Sequence, residues 1–156
     1  MQLPDDITLT ERGLGPSGQG RVLVVGCGAL AREILAIVAA NGMAHVDVQC
    51  LPAILHNHPE RIIPAVEDAV AKEQSRYARI FLAYADCGTG GALDKVLDKY
   101  GVDRIPGAHW YEFFAGTDVF NAIAEVDPAS FYLTDFLTRH FERLVIKGLG
   151  MDRLPQ

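Results

Sequence analysis

Residues 21–26 read RVLVVG, and residues 29–41, just beyond Cys27 and Gly28, read ALAREILAIVAAN. A continuous β-branched apolar run that ends in glycine is typical of a buried strand in a parallel sheet. The second segment is apolar on nearly every side, and Gly42 follows it as a C-cap, which predicts a buried helix. A buried strand followed directly by a buried helix begins a βαβ unit, and therefore predicts an α/β fold.

Further strands alternate with helices along the rest of the chain. We predict strands over residues 45–51, 78–84, 102–105 and 130–133, and a last amphipathic helix that begins at Thr134 or Asp135. Connections between parallel strands are almost always right-handed. The prediction is a three-layer α/β sandwich with a mostly parallel, flavodoxin-like or Rossmann-like sheet of about five strands.

The chain is expected to contain one domain, because 156 residues is an ordinary length for a single domain. Residues 1–20 are polar and contain glycine and proline, so we expect a flexible lead-in that contributes little to the core. Residues 21–156 would then form a single α/β domain, since no linker long enough to split them is present.

Composition excludes several classes of protein. The net charge of −6 argues against a general nucleic-acid binder, which needs a basic face, and against docking on an anionic membrane. No apolar run reaches the roughly 20 residues of a membrane-spanning helix, and the N-terminus does not read as a signal peptide. Three cysteines are too few for a disulfide scaffold, so we expect a cytoplasmic protein.

Reactive side chains follow the ends of several predicted strands. Ligands bind outside the carboxyl ends of the strands in open α/β sheets, so we expect Cys27, Cys87 and His109 to converge there, with His56 nearby. Other candidate ligand-binding residues at this edge are Gly88, Thr89, Gly90, Glu112 and Asp135.

A metal site is one interpretation of this edge. Two thiolates and one or two imidazoles suit zinc, or another soft to borderline transition metal. The ligand set would be Cys27, His56, Cys87 and His109, assembled from separate loops because the local CxxC and HExxH spacings are absent. The chain would then be a metal- or metallocofactor-binding accessory protein.

Thiol chemistry is a second interpretation. Cys27 and Cys87 each follow a strand and precede a helix, whose N-terminus lowers the pKa of a thiol. Two facing cysteines can remove and return a proton, with Asp86 and Glu112 as acid–base partners. Residues 87–91 (CGTGG) could hold an anion through backbone N–H groups. This predicts a cofactor-independent racemase, isomerase or lyase acting on a small carboxylate or phosphate.

A third interpretation makes the same residues structural. Cysteine is among the most buried residue types, and Cys27 between two glycines is compatible with tight packing of a helix on a strand. His56 could simply cap a helix, and Trp110 and Tyr111 could belong to the core. The chain would then be a non-catalytic, partner-binding domain.

Six blocks of sequence resemble one known family, the prokaryotic domain of unknown function 1638. The similarity runs from Arg21 to the end of the chain. The blocks are VLVVGCGALAREI (22–34), LHNHPERI (55–62), YADCGTGGALD (84–94), RIPGAHWYEFFAG (104–116), FYLTDFLTRHF (131–141) and GLGMDRLPQ (148–156). The resemblance implies motif positions without giving their roles, and these are Cys27, His56, Cys87, His109, Glu112 and Asp135.

The resemblance also implies a partner. Members of the family often occur in genomes beside corrinoid-dependent methyltransferases, which implies an accessory role in methyl transfer, with a corrinoid supplied through a partner protein. Trp110 stands where the family often has a cysteine, so a metal site would have lost one ligand. The chain also ends earlier than many members, as a short or truncated form would. A missing element would expose an apolar face, for which we expect a homodimer.

Overall fold

The computed structural model describes residues 4–153. The chain divides into two compact units, of which one runs to Pro106 and the other begins at Gly107. Within the described residues, the first unit contains all the strands and the second is helical. In this part of the chain, no helix is both long enough and apolar enough to cross a membrane.

The first unit is built on a parallel sheet in the order β2-β1-β3-β4. Its strands are β1 (Val22–Cys27), β2 (Val46–Leu51), β3 (Arg79–Ala83) and β4 (Asp103–Arg104). Every neighbouring pair is parallel. The predicted α/β class is therefore confirmed, with four strands rather than five.

Helices connect these strands. They are α1 (Asp6–Glu11), α2 (Ala31–Ala40), α3 (Ile62–Glu73) and α4 (Ala92–Tyr100), with 3-10 turns over Gly28–Leu30, Ala53–Asn57 and Pro59–Arg61. Because β2 and β3 lie on opposite sides of β1, right-handed crossovers put α2 on one face of the sheet and α3 on the other. The helix α4 packs beside α3, which gives the three predicted layers.

The face of the sheet under α2 forms a close-packed core. A Cβ atom added to Gly26 would lie 2.5 Å from Cδ1 of Ile34, so the end of the Ile34 side chain packs directly on β1 at this glycine. Beside this contact lies a cluster of buried residues, which are Leu9, Ala31, Val48 and Cys50. Leu9 comes from α1, so the N-terminal segment shares in this core.

The expectation that residues 1–20 contribute little to the core is wrong for this reason. Leu9 and Thr10 of α1 are fully buried. Leu14 then pairs with Cys50 in an antiparallel bridge, with both backbone hydrogen bonds at 2.8 Å. One well-placed leucine and backbone pairing to the edge of β2 are enough to dock a segment whose composition is mostly polar.

Asp47 of β2 anchors the same segment through buried hydrogen bonds. Its carboxylate accepts hydrogen bonds from the Ser17 hydroxyl, from the Gly18 N–H at 2.8 Å and from the Tyr77 hydroxyl at 2.7 Å. Burial by itself would raise the pKa of Asp47, but these hydrogen bonds outweigh it and lower the pKa below its ordinary value. The carboxylate is therefore ionised and well satisfied in a buried position.

We expect Asp47→Asn to lower the free energy of unfolding by about 1–3 kcal/mol near neutral pH, because the buried donors lose a charged acceptor. A carboxyl with a lowered folded-state pKa stabilises the fold above its unfolded-state pKa. That stabilisation is lost as the pH falls through the folded-state pKa. Urea denaturation should therefore show the full difference from wild type near neutral pH and a smaller one in acid.

Asp103→Asn is the matched control, since Asp103 also lies in a strand but pairs with Arg79 at the surface, where both side chains are 69% exposed. Exposed ion pairs contribute little to stability. Equal destabilisation by the two substitutions would contradict the anchoring role of Asp47.

The second unit consists of short helices. They are α5 (Glu112–Ala115), α6 (Thr117–Val126), α7 (Asp135–Arg139), a π-helical segment (Phe141–Lys147) and a 3-10 turn (Met151–Arg153). The strand predicted over residues 130–133 is absent from the described residues. Tyr132 instead stacks on Tyr111 and on Phe120, with each pair of ring centroids 5.2 Å apart. Tyr132 therefore packs between two aromatic rings rather than in a sheet.

Candidate functional site

Cys27 ends β1 at the carboxyl edge of the sheet. Its Sγ accepts a hydrogen bond from the Ala29 N–H at 3.3 Å and so caps the 3-10 turn that leads into α2. The backbone packs closely against α1 at the next residue, because a Cβ atom on Gly28 would lie 2.3 Å from the carbonyl oxygen of Leu9. Cys27 is only 1% exposed, so its thiol is held in one position inside the fold.

His56 reaches Cys27 from the neighbouring strand. Leu51 at the end of β2 is the register partner of Cys27. The 3-10 turn Ala53–Asn57 then turns the chain, and Nδ1 of His56 lies 3.3 Å from Sγ of Cys27. When the imidazole carries its proton on Nε2, Nδ1 is the acceptor for the thiol proton. The two strand ends thus form a thiol–imidazole pair.

Tyr84 joins this pair from β3. Its ring stacks on the imidazole of His56, with centroids 5.4 Å apart and an interplanar angle of 13°. The Tyr84 hydroxyl is buried and makes no hydrogen bond of ordinary geometry within residues 4–153. It nevertheless lies close enough to Cys27 to lower the pKa of that thiol. Sequence analysis missed Tyr84. Ala83 pairs with Gly26, so the residues that follow them, Tyr84 and Cys27, should also be adjacent. A prediction of this strand register would have identified Tyr84.

Burial dominates the protonation of Cys27. Loss of solvent raises the pKa of Cys27 far above that of an ordinary thiol, and the neighbouring Cys87 raises it further, although the Ala29 N–H and Tyr84 hydroxyl lower it in part. Burial likewise raises the pKa of Tyr84. Poorly solvated surroundings disfavour the charged form, so Cys27 rests as a neutral thiol.

Cys87 lies in the loop between β3 and α4. Its φ of 48° is in the left-handed region, which is uncommon for a residue other than glycine. Cys87 is 5% exposed, and it lies close enough to Cys27 for the charge of one thiol to affect the other. All three cysteines of the chain, including Cys50, are buried thiols.

Asp86 fixes the loop that contains Cys87. Its carboxylate accepts hydrogen bonds from the Thr89 hydroxyl at 2.7 Å and from the N–H groups of Gly90 at 3.0 Å and Gly91 at 2.8 Å. Burial would raise the pKa of Asp86, but these donors outweigh it and lower the pKa. Two N–H groups of the glycine-rich loop predicted to hold a substrate anion, those of Gly90 and Gly91, thus already bind a carboxylate of the chain. Gly88, with φ of 85°, forms the turn beside them.

His109 belongs to the second unit. Its imidazole stacks on Tyr111, with centroids 4.1 Å apart, and its Nδ1 accepts the Tyr111 N–H at 3.5 Å. Burial lowers the pKa of His109 to about 4, so the ring is neutral at neutral pH. A neutral imidazole with this geometry contributes to the aromatic core around Trp110 and Tyr111.

Glu112 and Asp135 also lie in the second unit, where they stabilise helices. The buried carboxylate of Glu112 accepts the Ala108 N–H at 2.8 Å and the Thr117 hydroxyl at 2.7 Å. Asp135 begins α7 and forms an ion pair with Arg139 at 2.7 Å, where its side chain is 63% exposed. Both predicted ligand-binding residues thus have local structural partners.

The predicted metal ligands come from both units, with Cys27, His56 and Cys87 in the first and His109 in the second. Among residues 4–153, no group of three or more histidine, cysteine, aspartate or glutamate side chains is arranged to hold a metal ion. Cys27 and His56 are adjacent, but a pair provides fewer ligands than a structural zinc ion takes.

We expect Asp86→Ala to loosen the loop around Cys87, because three hydrogen bonds to the carboxylate are lost. Amide hydrogen exchange at Gly90 and Gly91 should become at least about tenfold faster, which corresponds to roughly one lost hydrogen bond. Asp98→Ala, on the exposed side of α4, is the control and should leave these amides unchanged. Unchanged exchange in Asp86→Ala would show that the loop is held by other contacts.

Comparison with known proteins places the chain in a family. The family described as protein of unknown function (DUF1638) matches residues 50–156, which is more than half of the chain. The match includes His56, Cys87 and His109, and begins after Cys27. No curated protein and no solved structure matches the chain. The chain therefore belongs to the DUF1638 family, and this confirms the resemblance of its sequence blocks.

Proposed function

We propose that the chain is a cofactor-independent thiol enzyme in which Cys27 is the nucleophile and His56 its general base. The observation that carries the proposal is the 3.3 Å contact between Sγ of Cys27 and Nδ1 of His56. A nucleophile within hydrogen-bond reach of a base, with the base oriented by a third group, is a recurrent arrangement in covalent catalysis. The third group here is Tyr84, whose ring stacks on the imidazole.

Proton transfer to His56 would activate the thiol during the reaction. Because burial keeps Cys27 protonated at rest, Nδ1 of His56 takes the thiol proton as Sγ bonds to an electrophilic carbon of the substrate. The Ala29 N–H and the Tyr84 hydroxyl stabilise the negative charge that develops on sulfur. The imidazolium then holds a proton that it can return to the leaving group or to the product.

The proposed reaction depends on Cys27 and His56, and it does not require an anion-binding loop. Asp86 occupies the backbone donors that would otherwise favour a carboxylate or phosphate substrate. The substrate is accordingly proposed as a small molecule with an electrophilic carbon. A racemase, isomerase or lyase reaction stays a prediction within this class.

A metal-binding accessory role, with zinc or a partner-borne corrinoid, stays a prediction from the sequence. Cys27 and His56 are both suitable metal ligands, but they already supply a nucleophile and a base, whereas a metal ion takes more ligands than this pair. The geometry therefore gives thiol chemistry the better support.

Alkylation of Cys27 tests the proposal, and Cys50 is a matched control in the same chain. Cys50 is as deeply buried, at 2% against 1% exposure, and burial raises its pKa to about 12, but it lies in the apolar cluster beneath α2. With iodoacetamide near neutral pH, we expect Cys27 to react at least about tenfold faster than Cys50, because His56 acts as a base. Peptide mass spectrometry of the native protein measures both rates.

The substitution His56→Gln supplies the second arm. It keeps a polar side chain but removes the base, so the rate for Cys27 should fall to near that of Cys50, while the rate for Cys50 stays the same. Equally slow reaction of both cysteines in wild type would contradict the proposal, as would a Cys27 rate that His56→Gln does not lower. Protection of Cys27 that only a chelator relieves would favour the metal-binding role instead.

A further inference from the structure

The helix α6 presents an apolar stripe to solvent. Val119, Ile123 and Val126 are 53%, 40% and 87% exposed, and no residue of α6 is buried. Their spacing of four and three residues puts them on one side of the helix. A stripe of this kind normally faces a hydrophobic core. Within residues 4–153, this one has no such cover.

The stripe is not the side by which α6 is attached to its own unit. Phe120 makes that attachment, since its ring stacks on Tyr132 with centroids 5.2 Å apart. At 3.6 residues per turn, Phe120 points about a quarter turn away from the centre of the stripe. The stripe can therefore receive another surface without disturbing the packing of the second unit.

The charged residues of α6 and of its C-cap are all acidic. Asp118 and Glu125 are seven residues apart and lie along one border of the stripe, and Asp127 follows its end. Residues 105–138 contain no lysine or arginine at all. In the described part of the chain, neither Asp118 nor Glu125 forms an ion pair, so their charge is available to a partner.

We propose that this acid-bordered stripe is a docking surface for an amphipathic helix of another protein, whose apolar face is flanked by lysine or arginine. Anchors at positions i, i+4 and i+7 are the usual means by which helices pair through apolar faces. Complementary charge at the border then selects the partner and speeds its association.

Charge also distinguishes this partner from the other possible occupants. An antiparallel pair of α6 helices would bring acidic border against acidic border, which is unfavourable, and a parallel pair would offer neither border a basic residue, since residues 105–138 contain no lysine or arginine. An anionic membrane surface attracts basic helices and repels this one. The expected homodimer therefore gains no support from this face of the molecule.

A model peptide tests the proposal with the full-length chain. The probe is a fluorescent helical peptide with a leucine stripe flanked by lysines, and its control has glutamates in place of the lysines. In fluorescence anisotropy, the lysine peptide should bind at least about tenfold more tightly than the glutamate peptide, and its affinity should fall as salt is added.

Two double variants and a control locate the binding. Replacing two stripe residues, Ile123→Ser with Val126→Ser, should weaken binding of the lysine peptide at least about tenfold. Reversing the border, Asp118→Lys with Glu125→Lys, should reverse the preference between the two peptides. Ile37→Ser on α2 is the control, because Ile37 is similarly apolar and 58% exposed but lies in the first unit, and it should change neither affinity. Circular dichroism of each variant verifies that the helices are retained.

Three results would overturn the proposal. Equal affinity for the two peptides would show that charge does not select the partner. Full affinity in Ile123→Ser with Val126→Ser would show that the stripe is not the binding surface. A dimer in sedimentation velocity that this stripe variant dissociates would assign the surface to a second copy instead.

Discussion

The close packing at the end of β1 is the constraint on which the rest of the first unit depends. Gly26 lies against the end of the Ile34 side chain of α2, and Gly28 lies against the backbone of Leu9, where there is no space for a Cβ atom. Between them, Cys27 is the one residue of this turn with a side chain. The two contacts bring α2 and the N-terminal segment against the sheet, and they also hold the Cys27 thiol where His56 and Tyr84 can reach it.

Much of this unit could be predicted from the sequence, because β1 and β3 lie in apolar runs whose residues are largely buried or half-buried. The turn residues after β1 and β3 could also be assigned to one edge of the sheet. The contact between Cys27 and His56 could not, since it depends on the 3-10 turn Ala53–Asn57, which has no simple periodicity. The role of Tyr84 depends on strand register, and the sequence shows register only indirectly.

Other features escaped prediction because local composition was misleading. The composition of the N-terminal segment predicted a solvated lead-in. Instead, Leu9 is buried in the core, and the Asp47 carboxylate of β2 accepts a hydrogen bond from the Gly18 N–H. Residues 130–133 were predicted to form a strand, but Tyr132 stacks on the rings of Tyr111 and Phe120. The glycine-rich loop after β3 looked like an anion site, and the anion it binds is the carboxylate of Asp86.

The two units offer different kinds of chemistry. In the first, burial keeps the Cys27 thiol protonated, and Nδ1 of His56 lies within reach of its proton. In the second, an exposed apolar helix face with an acidic border has the character of a surface for a protein partner.

The protonation state of His56 tests the central claim most directly. Long-range proton–nitrogen spectra of the histidine-labelled protein near neutral pH distinguish the two neutral tautomers from imidazolium, and the His56→Gln variant assigns the signal. The thiol–imidazole pair predicts a neutral ring with its proton on Nε2, and an Nδ1 signal that moves in Cys27→Ala. A proton on Nδ1, a charged imidazolium, or a signal indifferent to Cys27→Ala would contradict it.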